Sequence, residues 1–586
     1  MTKLQPLIIN NWIKGVSDPN IGFSKLSNIQ VDENMGSACP SYETIRLDYD
    51  SDTIDFTADA STDICTASSS AVDFIEDNVA VMLTTSGTLP AGLSTGTQYF
   101  IIEQSSTTFK LTASVGGSPI NITDAGTGVH NVLVTAVGDI KHGVEVPDKD
   151  LVIVLDNNGR VWVDQGITFT KTTSRFHLLN GNTLTSASGN GLAVFTNSDS
   201  SGLFLFVYRN RMIDVFDITT QAKRYDPVGT SSITNGWATM NTASGVNNSH
   251  YSIVGEDNII YFCDDRFVGS IQEIPGQVFD PATSGTYNFN NQALDLIQNE
   301  KAEWIEELNG NLLIAGKTFD NIYPWNRRDD SFSDILKVGE NGVFRLKNIN
   351  DVVFILAGRS GMVRATQGVA VYDVYRFPDY LVQSSNSRYM TWGGVGIRNG
   401  ELAFGVKFVS SDSSSGIFIL KKTSEGYSAI NDMQLSDSVN SIQNFITSSL
   451  NTLRNSDVYR FGGDSGYYVF YDAVSATRRA SGTNAVPIIE TELYYLAIGR
   501  QKGVYSSLEI ELDRLPASGS IVVSARNSIY DTYIEIASFT LTNADTLYVN
   551  DELGLTDIVN KQFKIEVLGA GTDEGTVSLK ELRLYP

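Results

Sequence analysis

The run DLVIVLDNNGRVWVD, Asp150 to Asp164, decides how this chain reads. Uninterrupted apolar residues from Leu151 to Leu155, then Asn157-Asn158-Gly159, then a second short apolar run describe a hairpin whose first strand has no polar face. The pattern returns as LFLFVYRNRMIDVFDI from Leu203, YSIVGEDNIIYFCDDRFVGSI from Tyr251, EWIEELNGNLLIAGKTFDNIYPW from Glu303 and VVFILAGRSGMVRATQGVAVYDVYRF from Val352. It appears again as VGIRNGELAFGVKF from Val395, GIFILKKT from Gly416 and VYRFGGDSGYYVFYD from Val458. Asn, Asp or Gly at each turn supplies the positive φ that tight hairpins need. The turns recur about every 50 residues, near the period of four-stranded propeller blades. Such hairpins cannot each make a core, but a radial arrangement buries both faces and leaves only short edges. The expectation is an all-β chain built on a β-propeller of six or seven blades, residues 138–484. A series of β-sandwich domains is the alternative, kept open by the long interval before Val458.

Composition agrees. The 586 residues include 50 Gly, 25 Tyr and 28 Phe but only 14 Pro, and no heptad pattern runs through them. At this length several domains, each with a core, are expected. After Asn484 the strands change character: SLEIEL from Ser507, SIVVSAR from Ser520, YIEIASFTL from Tyr533, FKIEVLG from Phe563 and VSLKELRLY from Val577 alternate apolar with charged residues. That is the period of half-buried antiparallel strands, so 485–586 reads as a C-terminal β-sandwich. Two segments carry apolar residues at three- and four-residue spacing, Asn291–Leu308 and Ser436–Asp457, and are expected as helices packed between blades.

The formal net charge of −25 argues against sequence-specific nucleic-acid binding, which needs clustered Lys and Arg. It is compatible with a wall that lets a polyanion slide past. Cys39, Cys65 and Cys263 fit neither a disulfide framework nor a CxxC metal site. The start, MTKLQPLIINNWIKGVSDPN, has no secretory-signal pattern, and no apolar stretch is long enough to cross a bilayer.

Enzyme motifs weaken on inspection. WVDQGITF, Trp162 to Phe169, nearly matches the Asp-box turn of sialidase-like propellers, a turn that lies away from catalysis. GGDSGYY, Gly462 to Tyr468, places Ser465 among the letters around a trypsin-like serine but reads as a hairpin turn, without histidine and aspartate settings. GNLLIAGKT, Gly310 to Thr318, has one residue too many for a phosphate loop and an apolar strand where the amide cradle belongs. Asp48, Asp50 and Asp52 lack the glycine and closing glutamate of an EF-hand. His130, His142, His177 and His250 share no metal-ligand spacing. No catalytic, cofactor-binding or metal-ligating residue is expected, and the chain is read as a non-enzyme.

One segment carries a resemblance. The SGTLPAGL turn from Ser86, the TQYFII strand from Thr97, the STTFKL strand from Ser106 and the INITDAGTG run from Ile120 resemble, in this order, a small β-module of phage virion proteins. This module, 51–137, is expected as an insertion into an exposed loop, where added length costs little closure entropy. The preceding GVSDPNIGFSKLSNIQVDENMGSACPSYETIRL, Gly15 to Leu47, is similar to the lead-in of phage neck and tail propeller proteins, so 1–50 is expected to hold that lead-in and the first propeller strands. Together these features resemble the nozzle proteins of short-tailed phages, the tail tubular protein B-like family. The resemblance implies a homohexamer beneath the portal and adaptor, in contact with other tail proteins, acting as conduit and gate for genome ejection. DNA would pass through the lumen without sequence-specific binding. It also implies a virion protein assembled in the host cytoplasm, with no stable membrane insertion. The rival expectation is a tail spike or receptor-binding protein that stacks host glycans on Trp237, Trp325 or Trp392.

Overall fold

In the computed structural model the described residues are 53–68, 80–95, 97–114, 117–134, 139–146, 151–157, 161–164, 191–209, 212–219, 237–240, 250–377, 390–398, 400–408, 415–423, 426–435 and 438–444, together with strands near both ends of the chain and short strands at 176–178, 383–384, 387–388, 459–463 and 466–470. Every regular element among them is a strand.

Seven four-stranded antiparallel units follow one another, with innermost strands beginning at Ile140, Gly191, Ser252, Ala302, Val343, Met390 and Val439. They are numbered blades 1 to 7 in that order. Each innermost strand lies beside the next, and that of blade 7 lies beside that of blade 1, so the ring closes. The fold is an all-β propeller with an inserted small β-domain and a C-terminal β-sandwich. The second strand of a blade is mostly buried, and wholly so in Leu151–Asp156 and Ile260–Asp264, because neighbouring blades cover both its faces. Outer strands such as Tyr287–Asp295 alternate exposed with half-buried positions. The hairpin turns place Asn309 at φ 51° and the pair Asn350–Asp351 at 52° and 63°, the left-handed region where Asn and Asp are tolerated best.

Blade 7 is completed from the other end of the chain. Its strands Val439–Asn444, Tyr459–Gly463 and Gly466–Phe470 take Tyr42–Thr44 as the fourth, in the register Tyr468↔Thr44. The chain then makes the insertion before entering blade 1 at Ile140. The insertion is a closed six-stranded barrel of strands between Thr53 and Val134, with Phe109, Ile101, Val81 and Val132 fully buried. Thr88 and Thr127 exchange backbone hydrogen bonds at 3.0 and 2.8 Å, and Asp124 Oδ1 accepts from the amides of Ala91 and Gly126. The SGTLPAGL turn and the INITDAGTG run are thus two halves of one contact.

The N-terminal strands depart from expectation. Among the described strands of residues 1–50, Tyr42–Thr44 completes a blade; Phe23–Ser27 pairs with Ile488–Thr491, while Ile29–Asp32 and Met35–Ala38 extend the sheet of Ser578–Tyr585. Phe23–Ser27 also meets the outer strand of blade 6 at Ser27↔Asn431, which makes one sheet continuous from that blade into the terminal sandwich.

Both expected helices are corrected where they are described. Asn291–Leu308 is the end of one outer strand and the start of the next innermost one, Tyr287–Asp295 and Ala302–Leu308, with Asn299 turning between them at φ 68°. Trp304 and Ile305 are buried on opposite sides of a strand, so two-sided burial between blades outweighs the local three-and-four spacing. Val439–Asn444 is the innermost strand of blade 7, and residues 445–457 lie outside the described residues. VGIRNGELAFGVKF and GIFILKKT are both part of blade 6, which accounts for the uneven spacing.

Candidate functional site

The innermost strands converge on an axial cavity of about 230 Å³, to which every blade contributes: His142, Leu192, Tyr251, Trp304, Lys347, Val395 and Gln443, in blade order. Close approach at the seam sets its wall. A Cβ on Gly394 of blade 6 would stand 2.6 Å from Ser441 N and Cα of blade 7, so only glycine lets the two strands lie that close. Asn440 Nδ2 donates to Ile140 O at 2.9 Å and ties blade 7 to blade 1.

Across the axis runs a column of rings. His142 lies 5.3 Å from Tyr251, Tyr251 stacks on Trp304 at 3.4 Å and 13°, and the Arg345 guanidinium sits 4.6 Å from the Trp304 ring centroid. Stacked and cation–π geometries of this kind hold a side-chain bridge together once water is excluded. Arg345 Nη1 donates to Phe344 O at 2.8 Å and stands 3.9 Å from Glu303 Oε1. Burial, reinforced by the Arg345 charge, pushes His142 down to about 3, so its ring is neutral at neutral pH. Burial raises the Tyr251 phenol well above its usual range and lowers Arg345, the latter opposed by Glu303.

A second buried polar knot lies within blade 4. Glu300, 1% exposed, accepts from the amides of Lys301 and Thr318 at 3.0 and 2.8 Å and from the Tyr323 hydroxyl at 2.9 Å. Tyr323 in turn accepts from Asn321 Nδ2 at 2.6 Å. Neither this knot nor the ring column follows from the hairpin pattern. The available signal was an aromatic residue within two residues of the start of successive innermost strands, Tyr251 before Ser252 and Trp304 after Ala302.

The structure places the other sequence candidates plainly. Trp162 is fully buried and donates Nε1 to Asp156 at 3.0 Å; the described part of the Asp-box-like segment is a blade strand. Gly462–Gly463 pairs with Gly466–Tyr467 as adjacent strands, with Asp464 and Ser465 outside the described residues. Asn311–Gly316 of the phosphate-loop-like run is a buried strand. Asp48, Asp50 and Asp52 lie outside the described residues, as do Cys39 and the His177 side chain. His130 bonds Thr85 Oγ1 and Ala125 O inside the barrel, and His250 bonds Cys263 O. Cys65 and Cys263 are buried free thiols, and burial pushes Cys65 up to about 12. Among the described residues no cluster of three or more His, Cys, Asp or Glu could hold a metal ion. Trp237, Trp325 and Trp392 are packing residues: their Nε1 groups donate to Pro281 O, Asp329 O and Ala357 O, and Trp325 and Trp392 are buried.

The solved structures similar to this chain are β-propellers. The WD40 repeats of RRP9 are 12% identical, with 57% of this chain and 94% of that chain covered at a TM-score of 0.39. The β-propeller domain of Cps50 (Swd1) from Myceliophteria thermophila is 9% identical, with coverage of 57% and 97% at 0.37. YCF48 bound to D1 peptide is 5% identical, with coverage of 57% and 92% at 0.38. Neither a family model nor a curated protein matches the chain.

Proposed function

We propose that this chain is a structural component of a phage virion, the nozzle of a short tail, which forms a homohexameric ring below the portal and adaptor. The observation that carries the reading is the barrel between Thr53 and Val134: the segment resembling a virion module has its own core and is spliced in where the ring closes. Its buried cluster also takes in Ile140, Val152, Val154 and Trp162 of blade 1, so it is seated on the propeller and can transmit load to it. In a hexameric ring the conduit lies on the axis between subunits, where the acidic balance of the chain, net charge −25, repels DNA rather than holding it. Rigid blades joined into symmetric interfaces would pass a movement at one rim to loops at another. No chemical step is assigned.

Electron cryo-microscopy of intact virions tests this. Six copies around an axial channel are expected; three copies at a peripheral position would refute the nozzle and transfer the assignment to receptor recognition. Deleting 51–137 should abolish incorporation into particles, and normal assembly without it would remove the joining role of the barrel.

A further inference from the structure

We propose that the cleft between blades 5 and 6 is a docking site for an extended acidic segment of another protein, which puts one apolar side chain into the cleft and a carboxylate on Lys422. The proposal does not depend on the virion reading. The cleft holds about 160 Å³ and opens beside the first hairpin turns of the two blades, at Asn350 and Gly400. Ile349, Val352 and Phe354 of blade 5 line it together with Leu402, Leu420 and Tyr427 of blade 6. Phe354 meets Tyr427 edge to face at 5.8 Å and 80°. A Cβ on Gly400 would meet nothing within 4 Å, so that part of the mouth is open.

Strand pairing sets the charge at the mouth. Leu402 pairs with Leu420 and Tyr427 with Lys422, and Leu420 and Lys422, two residues apart, share the cleft side of their strand. Lys422 is exposed and forms neither a hydrogen bond nor an ion pair. Glu401 borders the cleft, but it alternates with Leu402 to the other face of the strand, where burial raises its carboxyl against the opposing charges of Lys421 and Arg398. Asp351, next to Asn350 in the turn, is not part of the lining. The cleft therefore presents one unpaired cation beside an apolar pocket, in a chain whose net charge is −25.

Volume selects the anchor. Sites for small organic ligands run to roughly 300–1,000 Å³, whereas a cavity of about 150 Å³ holds a single benzene-sized group. The 160 Å³ here takes one Leu, Met or Phe side chain. Sugar stacking does not suit the cleft, because the Phe354–Tyr427 contact is edge to face and Phe354 is only 6% exposed, which leaves no broad ring surface. Tyr372, 45% exposed, continues the blade 5 wall outward through the pairs Phe354↔Ala365 and Ala365↔Tyr372, and burial with Tyr427 beside it raises its phenol. A segment lying along Tyr372 can thus seat its anchor in the pocket, where a buried apolar side chain carries most of the binding energy. A carboxylate next to that anchor meets Lys422 and fixes the choice of segment.

The test selects binders of the whole purified chain from yeast-displayed random dodecapeptides, then measures the enriched peptides, synthesised with a fluorescent label, by polarisation. Enriched peptides are expected to carry Leu, Met or Phe beside Asp or Glu. Their binding should weaken about tenfold or more in Lys422→Glu and in Val352→Asp, and stay unchanged in the exposed control Lys301→Gln. Exchanging the acidic residue of the peptide for Lys should restore binding to Lys422→Glu. No enrichment, enrichment of basic or purely polar peptides, or equal binding by wild type and Lys422→Glu overturns the proposal. Sedimentation of the chain alone decides the rival occupant: self-association that is lost in Lys422→Glu assigns the cleft to a second copy and overturns the acidic partner. Should Val352→Asp fail to fold, Lys422→Glu, a change at an exposed side chain, still carries the test.

Discussion

Acidification to pH 5 is expected to weaken the propeller through His142. The ring is packed on Tyr251, feels the Arg345 cation and has an unpartnered Nδ1, so nothing in the fold welcomes its proton. The folded protein holds it near 3, against an ordinary 6.5 once unfolded. The unfolded chain therefore binds the proton first: the stability due to the neutral ring is complete above pH 6.5 and is lost as pH falls from 6.5 toward 3. Linkage between these two values gives a loss of about 2 kcal/mol at pH 5, an interval in which most carboxylates are still ionised. Urea unfolding followed by tryptophan fluorescence at pH 7.5, 6.5 and 5 should show wild type losing about 2 kcal/mol more than His142→Gln. Equal losses in the two proteins would refute the reasoning, whatever their absolute stabilities.

Tyr323→Phe removes the hydroxyl that donates to the buried Glu300 carboxylate, and should lower the propeller transition by about 1.5–3 kcal/mol in the same assay. Phe109→Ala empties the centre of the barrel and should cost about 3–5 kcal/mol. That loss should appear in a barrel transition separable by calorimetry, and a shift of the propeller transition by the same amount would contradict independent folding of the insert. Gly394→Val drives a side chain onto the Ser441 backbone at the blade 6–7 seam; faster limited proteolysis between 390 and 444 is expected, and a wild-type rate would show that the seam yields.

Some of this was legible in the sequence for a physical reason. LVIVL, IIYFC, LLIAG and VVFILA are apolar without alternation, which only a strand covered on both faces requires, and all four are middle strands of blades. The helical reading of Asn291–Leu308 failed because its spacing is as compatible with two strands around the turn at Asn299 as with one helix. Local periodicity does not tell which. The cavity was illegible because ring closure brings His142 beside Ser441 and Gln443 from opposite ends of the propeller sequence. No local pattern encodes that meeting. Likewise nothing in the Gly15–Leu47 run signals that its strands divide between blade 7 and the terminal sheets.

That division has a consequence for synthesis. Tyr42–Thr44 and Phe23–Ser27 leave the ribosome early, yet their partners at Tyr468, Ile488 and Asn431 follow only about 400 residues or more later. The barrel, whose strand pairs all lie between Thr53 and Val134, can form at once from neighbouring sequence. The nascent protein thus carries a finished barrel with unpaired strand segments ahead of it for most of translation, open to pairing with another nascent chain. Widely spaced ribosomes, or a chaperone that shields the first 44 residues, would raise the yield of closed rings over strand-exchanged ones.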